Sequence, residues 1–225
     1  MRACVLIPSY NEERHIGDIV RKIVGLGFEV FVIDDGSADN TGKIASENGA
    51  SVTRHSTNLG KGASLKEGFD LILKTTDFDA VITMDGDGQH SPADIQKLIA
   101  CAEKEDDDII IGNRMAHTKN MPFVRLATNR FMSFLLSAIC KQEIPDTQCG
   151  FRLIKRRVLE KIKLDSAKYD LESELLIKAT TNNFQIGFVS IETIYTGQYS
   201  GIHPVKDTLR FFALLFKLYL KKPMS

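Results

Sequence analysis

Short, wholly apolar runs recur along this chain, each closed by a polar cluster and followed by a segment of helical periodicity. That alternation admits little besides a layered α/β sheet. Ala3 to Ile7 reads as a buried strand, after which Ile16, Ile19, Val20, Ile23 and Val24 repeat at helical spacing. Phe28 to Ile33 is a second strand ending in Asp34 and Asp35; a helix follows from Asn40 to Asn48, then a short strand from Ser51 to Arg54. Leu65, Phe69, Ile72 and Leu73 mark another helix, ahead of the strand Ala80 to Met84. Ser91, Pro92 and Asp94 have the form of an N-cap, a first-turn proline and a first-turn acid, opening a helix with Ile95, Leu98 and Ile99 inward. Ile109 to Ile111 is a further strand. The predicted fold class is α/β, a Rossmann-like, mainly parallel central sheet flanked by helices.

With 225 residues, 43% of them hydrophobic, the chain can bury one core, so residues 1 to 225 are expected to form a single domain. Its 29 basic and 29 acidic side chains cancel, which argues against a general nucleic-acid binder. Cys4, Cys101, Cys140 and Cys149 form no Cys-x-x-Cys pair and read as reduced thiols of a cytosolic protein. The apolar run at Ala3 is too short for a signal peptide and stops at Pro8; the run Phe211 to Phe216 is cut by Lys217 and is too short to span a membrane. A soluble, cytoplasmic chain is predicted.

In an open parallel sheet, ligands bind outside the carboxyl ends of the strands. Four polar clusters sit at those ends: Pro8 to Glu12, Asp34 to Ser37, Asp85 to His90, and Gly112 to Arg114. Singly, each has a plain structural account, as helix caps or loop anchors. The third is the most telling. Asp85 and Asp87 leave a strand two residues apart, on one side of the chain. At about 5 Å and an effective dielectric near 20, two such charges repel by roughly 3 kcal/mol, which a divalent cation would convert into attraction. Gly86 and Gly88 allow a tight turn, and the Gln89 amide can extend an all-oxygen set suited to Mg²⁺ or Mn²⁺. A solvated acidic turn is the alternative.

The segments IPSYNE (7–12), VIDDGSADNT (32–41), NLGKGAS (58–64), MDGDGQH (84–90), GNR (112–114) and DTQCGFR (146–152) resemble the family 2 glycosyltransferases of the GT-A fold. The nearest branch is the dolichyl- or polyprenyl-phosphate mannosyltransferase-like group. The motifs run in the expected order from residue 5 to about 205. By this resemblance, Pro8, Tyr10, Glu12 and Asp35, with Asp34 beside them, hold the nucleotide, and Lys61 lies near the donor. Asp85, Gly86, Asp87 and Gln89 form the motif at which a Mg²⁺ or Mn²⁺ bridges the donor diphosphate. Arg114 and Arg130 face phosphate groups, and Asp146, Gln148 and the turn from Cys149 to Arg152 border the sugar and acceptor. YTGQYSGIHP (195–204) resembles a segment near the acceptor, where His203 meets a phosphate or stabilises the loop. His90 is expected behind the metal-bound diphosphate, and His15, His55 and His117 at the surface. Asn113 stands where the family's triplet commonly has serine, which keeps a polar side chain.

The activity so implied is inverting transfer of a hexose from a nucleotide-sugar to a polyprenyl or dolichyl phosphate, with GDP-mannose the leading donor. The alternative is a UDP-sugar, carrying glucose or N-acetylglucosamine, and a soluble or glycan acceptor. A non-catalytic nucleotide-sugar binding subunit would be expected to have lost part of the set Asp85, Asp87, Gln89 and Asp146. A sugar hydroxyl needs a base, for which Asp146, Glu172 and Glu174 are candidates; a lipid phosphate is already anionic and needs none. Asp87, Asp146 and Arg114 are the expected catalytic residues. Two amphipathic segments, near 122–140 and 204–222, fit helices lying in a membrane interface, or else core packing or a subunit contact; peripheral membrane docking or a membrane-protein partner would bring the chain to a lipid acceptor.

Overall fold

The computed structural model describes residues 1–116, 121, 123–166 and 170–194. Among them, seven strands are β1 (Ala3–Ser9), β2 (Glu29–Asp34), β3 (Ser51–Arg54), β4 (Ala80–Thr83), β5 (Ile109–Asn113), β6 (Arg152–Lys155) and β7 (Ile186–Ser190). The α-helices are α1 (Ile16–Gly25), α2 (Thr41–Glu47), α3 (Lys61–Thr75), α4 (Ile95–Lys104), α5 (Phe123–Cys140), α6 (Arg156–Lys161) and α7 (Asp170–Thr181). The strands form one mainly parallel sheet, as the alternating pattern predicts, in the order β3-β2-β1-β4-β6-β5-β7. All pairings are parallel except those of β6, which runs against both β4 and β5.

Helices cover the sheet: α1 and α2 pack near β2 and β3, α3 against β1 and β2, and α4 over β5, β6 and β7. Val5, Leu6, Ile7, Ile82, Ile110 and Leu153 are fully buried where strands and helices meet. Continuous burial along β1, β4 and most of β5 explains why these strands read as unbroken apolar runs rather than alternating ones.

Three local expectations are corrected. The strand expected to reach Met84 ends at Thr83, whose hydroxyl donates to the Gly150 carbonyl at 2.8 Å. The helix expected to start at Pro92 opens as a 3-10 turn, Pro92–Asp94, and Ser91 makes no side-chain cap bond. Strand β6 was not among the expected strands; it begins with an arginine, a residue that local pattern assigns to the surface.

The four cysteines are free; Cys4, Cys140 and Cys149 are buried. Burial pushes the Cys4 and Cys149 thiols up to about 12, which leaves them unreactive. Helix α5 matches the first expected amphipathic segment and packs on α7. Asn129, Met132, Ser133, Leu136 and Cys140 face inward, while Phe131, Phe134 and Ile139 are 47%, 71% and 40% exposed. No helix among the described residues is long and apolar enough to cross a membrane. The segment 204–222, His203 and His117 lie outside the described residues.

Candidate active site

The carboxyl ends of β1, β2, β4 and β5 lie at one edge of the sheet. Because β6 is antiparallel, its amino end arrives there too. Thr83 pairs with Arg152, so continuing the register sets Gly150 opposite Asp85. A Cβ on Gly150 would lie 2.6 Å from Asp85 Oδ2 and 2.7 Å from Lys61 Nζ, so only glycine leaves room there for both side chains. Lys61 Nζ sits 2.6 Å from Asp85 Oδ1 and 3.2 Å from Glu172 Oε1, joining α3, the β4 loop and α7. Burial opposes charge on both Lys61 and Asp85. Mutual attraction, helped by Glu172 for the lysine and His90 for the aspartate, overrides it, holding Lys61 above and Asp85 below their ordinary ranges.

His90 is buried, stacks on Phe151 with ring centroids 5.3 Å apart, and places Nε2 3.8 Å from Asp85 Oδ2. Its Nδ1 has no hydrogen-bond partner among the described residues. Asp87 is half-buried, and its Oδ1 accepts from the Gln89 backbone N–H at 3.0 Å, forming a tight turn. Gly86 owes its place to close approach, since a Cβ there would meet Ser9 Oγ at 2.7 Å; Gly88, at φ +76°, supplies the left-handed turn. Glu12 stands nearby. Burial, followed by the charges of Asp87, Asp39 and Asp85, pushes its carboxyl up to about 7.

This excess of negative charge, with hard oxygen donors on Asp85, Asp87 and Gln89, fits a divalent cation such as Mg²⁺ or Mn²⁺. No three His, Cys, Asp or Glu side chains converge as a ready metal cage among the described residues.

Of the two arginines expected to face phosphate, Arg114 is employed elsewhere in this structure, and so is Arg152 of the turn expected to border the acceptor. Arg114 is 3% exposed and grips fully buried Asp146 through Nε to Oδ2 (2.7 Å) and Nη2 to Oδ1 (2.9 Å). Asp146 also accepts from Asn129 Nδ2 (2.9 Å), the Arg114 N–H (3.2 Å) and the Gln148 N–H (3.2 Å). Burial would raise the Asp146 carboxyl, but Arg114 and Asn129 hold it below its ordinary value. Arg152, 1% exposed, donates to three carbonyls: Cys149 (Nε, 2.8 Å), Thr147 (Nη2, 2.8 Å) and Glu172 (Nη1, 3.0 Å). It ties the 147–149 loop to α7. Glu174, one of the expected bases, accepts from the Asp165 and Ser166 N–H groups and pairs with Lys178. Arg130 lies on the exposed side of α5, and the Gln148 side chain is half-buried.

On the β1 and β2 side, Pro8 is buried within β1 and Tyr10 is 46% exposed beyond its end. The two loops are tied together: Asn11 N–H donates to Ser37 Oγ, and Ala38 N–H to Asn11 Oδ1. Asp34 is fully buried, with Oδ1 accepting from the Ser37 N–H at 3.0 Å and Arg54 Nε 3.5 Å from Oδ2. Asp35 receives the Leu59 and Gly60 N–H groups at 2.8 and 2.7 Å, clamping the turn that leads into Lys61. Expected at the surface, His55 is instead buried, with Nδ1 2.6 Å from Asp35 and Nε2 2.7 Å from Glu67. Burial would lower its pKa, but the two carboxylates win and raise it above the ordinary 6.5. The signals for these roles are weak in sequence, because, apart from Ser37 on Asp34, each partner lies a dozen or more residues away.

Two outcomes follow. Asp146→Ala strands a buried guanidinium and should cost about 3–5 kcal/mol in urea denaturation. Because His55 is raised in the folded state, its contribution to stability is complete below about pH 6.5 and is lost as pH rises through the folded value. His55→Gln should therefore flatten the fall in stability above neutrality in a series of melts.

Residues 4–163 match the family described as Glycosyl transferase family 2. The chain is 31% identical to the UDP-N-acetylglucosamine--dolichyl-phosphate N-acetylglucosaminyltransferase of Methanococcus voltae, over 85% of this chain and 85% of that protein. It is also 31% identical to the polyprenol monophosphomannose synthase of Mycolicibacterium smegmatis, over 89% of this chain and 80% of that protein. In fold it is similar to the crystal structure of glucosyl-3-phosphoglycerate synthase from Mycobacterium tuberculosis in complex with Mn²⁺, UDP-glucose and phosphoglyceric acid. The TM-score is 0.75 at 20% identity, covering 96% of this chain and 79% of that one. With the match to the family spanning most of the sheet and the candidate site at its edge, the chain belongs to glycosyltransferase family 2.

Proposed function

We propose that this chain, acting as one catalytic domain, transfers a hexose with inversion from a nucleotide-sugar to a polyprenyl or dolichyl phosphate. The observation that carries this reading is the meeting of Asp85, Lys61 and Glu172 at the carboxyl edge of the sheet. The acceptor is supported by two relatives whose names carry different sugars but share a polyisoprenoid phosphate. GDP-mannose is the leading donor. A UDP-sugar is the second reading, favoured by the N-acetylglucosaminyltransferase relative.

In this reading, Pro8, Tyr10 and Glu12 after β1, with Asp34 and Asp35 after β2, border the nucleotide. Exposed Tyr10 is placed to stack on a base. Asp85 and Asp87, with the Gln89 amide, would hold a Mg²⁺ or Mn²⁺, which when bound supplies Lewis-acid stabilisation of the leaving diphosphate. Lys61 offers an ammonium to the same phosphates, and Glu172 orients it. Arg114, locked on Asp146, acts by fixing the loop after β5 against residues 146–148. Arg152 fixes the following turn. Both are therefore positioning residues.

The state of two of the three expected bases, Asp146 and Glu174, favours an acceptor that brings its own negative charge; the third, Glu172, is paired with Lys61. Five donors surround the oxygens of Asp146, and Glu174 is held by two backbone N–H groups and Lys178. Neither is placed to take a proton from an attacking hydroxyl, a step that a phosphate acceptor does not require. Arg130, exposed on α5, is the cation proposed to meet a lipid phosphate, with Gln148 on the acceptor side. The apolar stripe of Phe131, Phe134 and Ile139 would rest in the membrane interface of the cytoplasmic leaflet.

The test is transfer of radiolabelled sugar from GDP-mannose, UDP-glucose and UDP-N-acetylglucosamine to a short polyprenyl phosphate in mild detergent, with Mn²⁺ or with chelator. Label in the lipid from one donor, lost with chelator and reduced about a thousandfold by Asp87→Ala, is the expected result. Nucleotide binding with no lipid label from any donor would overturn the acceptor assignment. Flotation with anionic vesicles should carry the wild-type chain and lose it with Phe134→Asp; equal flotation of the two would remove the role of α5.

A further inference from the structure

We infer that Lys61 is an internal counter-cation that competes with the divalent ion for Asp85, so that metal enters the site well only together with a diphosphate able to take Lys61 over. The inference rests on the donor site proposed above and adds an order of events to it. Its ground is geometric. The Lys61 ammonium lies 2.6 Å from Asp85 Oδ1 and 3.2 Å from Glu172 Oε1, where a bridging cation between two carboxylates would sit. The other Asp85 oxygen faces His90 Nε2 at 3.8 Å. Both oxygens of the first acid in the Asp-x-Asp motif thus have cationic or donor neighbours before any metal arrives.

Two features of the backbone make this placement specific. Gly150 leaves open the space that the Lys61 and Asp85 side-chain ends share. Asp35 binds the Leu59 and Gly60 N–H groups, so the base of the Lys61 stem is fixed at the start of α3. Among the described residues, the far end is held by ion pairs, at a site about a fifth exposed to solvent. Lysine suits an exchangeable role because it is a compact charge on a four-carbon stem, able to swing from carboxylate to phosphate without breaking a bidentate fork. An unsatisfied pair of carboxylates would repel; Lys61 removes that repulsion in the unloaded protein and must be given a new anion to leave.

Mn²⁺ binding to the full chain, read from the electron paramagnetic resonance signal of the free ion, tests this without turnover. Without nucleotide, Lys61→Met should bind Mn²⁺ about tenfold more tightly than the wild type, since a competing charge is gone. Added UDP or GDP should tighten Mn²⁺ binding more in the wild type than in the variant. Lys61→Gln should behave as Lys61→Met does, and Lys61→Arg should stay near the wild type, which guards against a folding defect in any one variant. Equal or weaker nucleotide-free binding by both neutral variants would overturn the inference while leaving the donor site standing. Absence of Mn²⁺ binding by every chain, with either nucleotide present, would overturn the metal-dependent donor site and the inference with it.

Discussion

The reversal of one strand organises the whole site. β6 runs against β4 and β5 in an otherwise parallel sheet, so its amino end joins the carboxyl ends of its neighbours. That single pairing carries residues 146–151 to the edge where ligands bind in such sheets and sets Gly150 beside Asp85. A parallel strand in that position would have delivered its carboxyl end, Ile154 and Lys155, to the edge instead. The cost is an arginine at the buried start of β6, and it is met by three carbonyls that accept its N–H groups.

Two classes of charged contact meet at this edge, and their energetics differ. Arg114 with Asp146, and Arg152 with its carbonyls, are buried, multiply bonded and costly to break. They form a frame. Lys61, Asp85, Glu172 and the Asp87 turn are partly open to solvent and held by few bonds, so their partners can change at modest cost. A site that binds and releases a charged donor needs both: fixed walls that keep the geometry, and contacts able to exchange a side chain for a substrate oxygen.

Much of this was legible from residue order. Unbroken apolar runs marked the parallel strands, and acids at their ends marked the edge. The Asp85 and Asp87 spacing, read with its flanking glycines, points to the centre of the candidate site, where Lys61 is the neighbour of Asp85. What local pattern could not supply was the pairing of charges across distance. Arg114 and Asp146 are 32 residues apart, and His55 and Asp35 are 20 apart. A basic residue after a strand reads the same whether it waits for phosphate or is already spent on a buried carboxylate. For the same reason Arg152 masked β6, and His55, polar in sequence, was taken for a surface residue.

On the proposed reading, the donor diphosphate and its cation sit on the β4–β6 edge, with Lys61 passing from Asp85 to phosphate. A crystal structure of the chain with Mn²⁺ and a nucleoside diphosphate, phased for anomalous scattering from manganese, tests it directly. The predicted result is a manganese peak bound by Asp87 and Asp85, with the Lys61 ammonium on a phosphate oxygen and the Arg114–Asp146 pair unmoved. A manganese peak away from these aspartates, or Lys61 still seated on Asp85 beside a bound diphosphate, would contradict it.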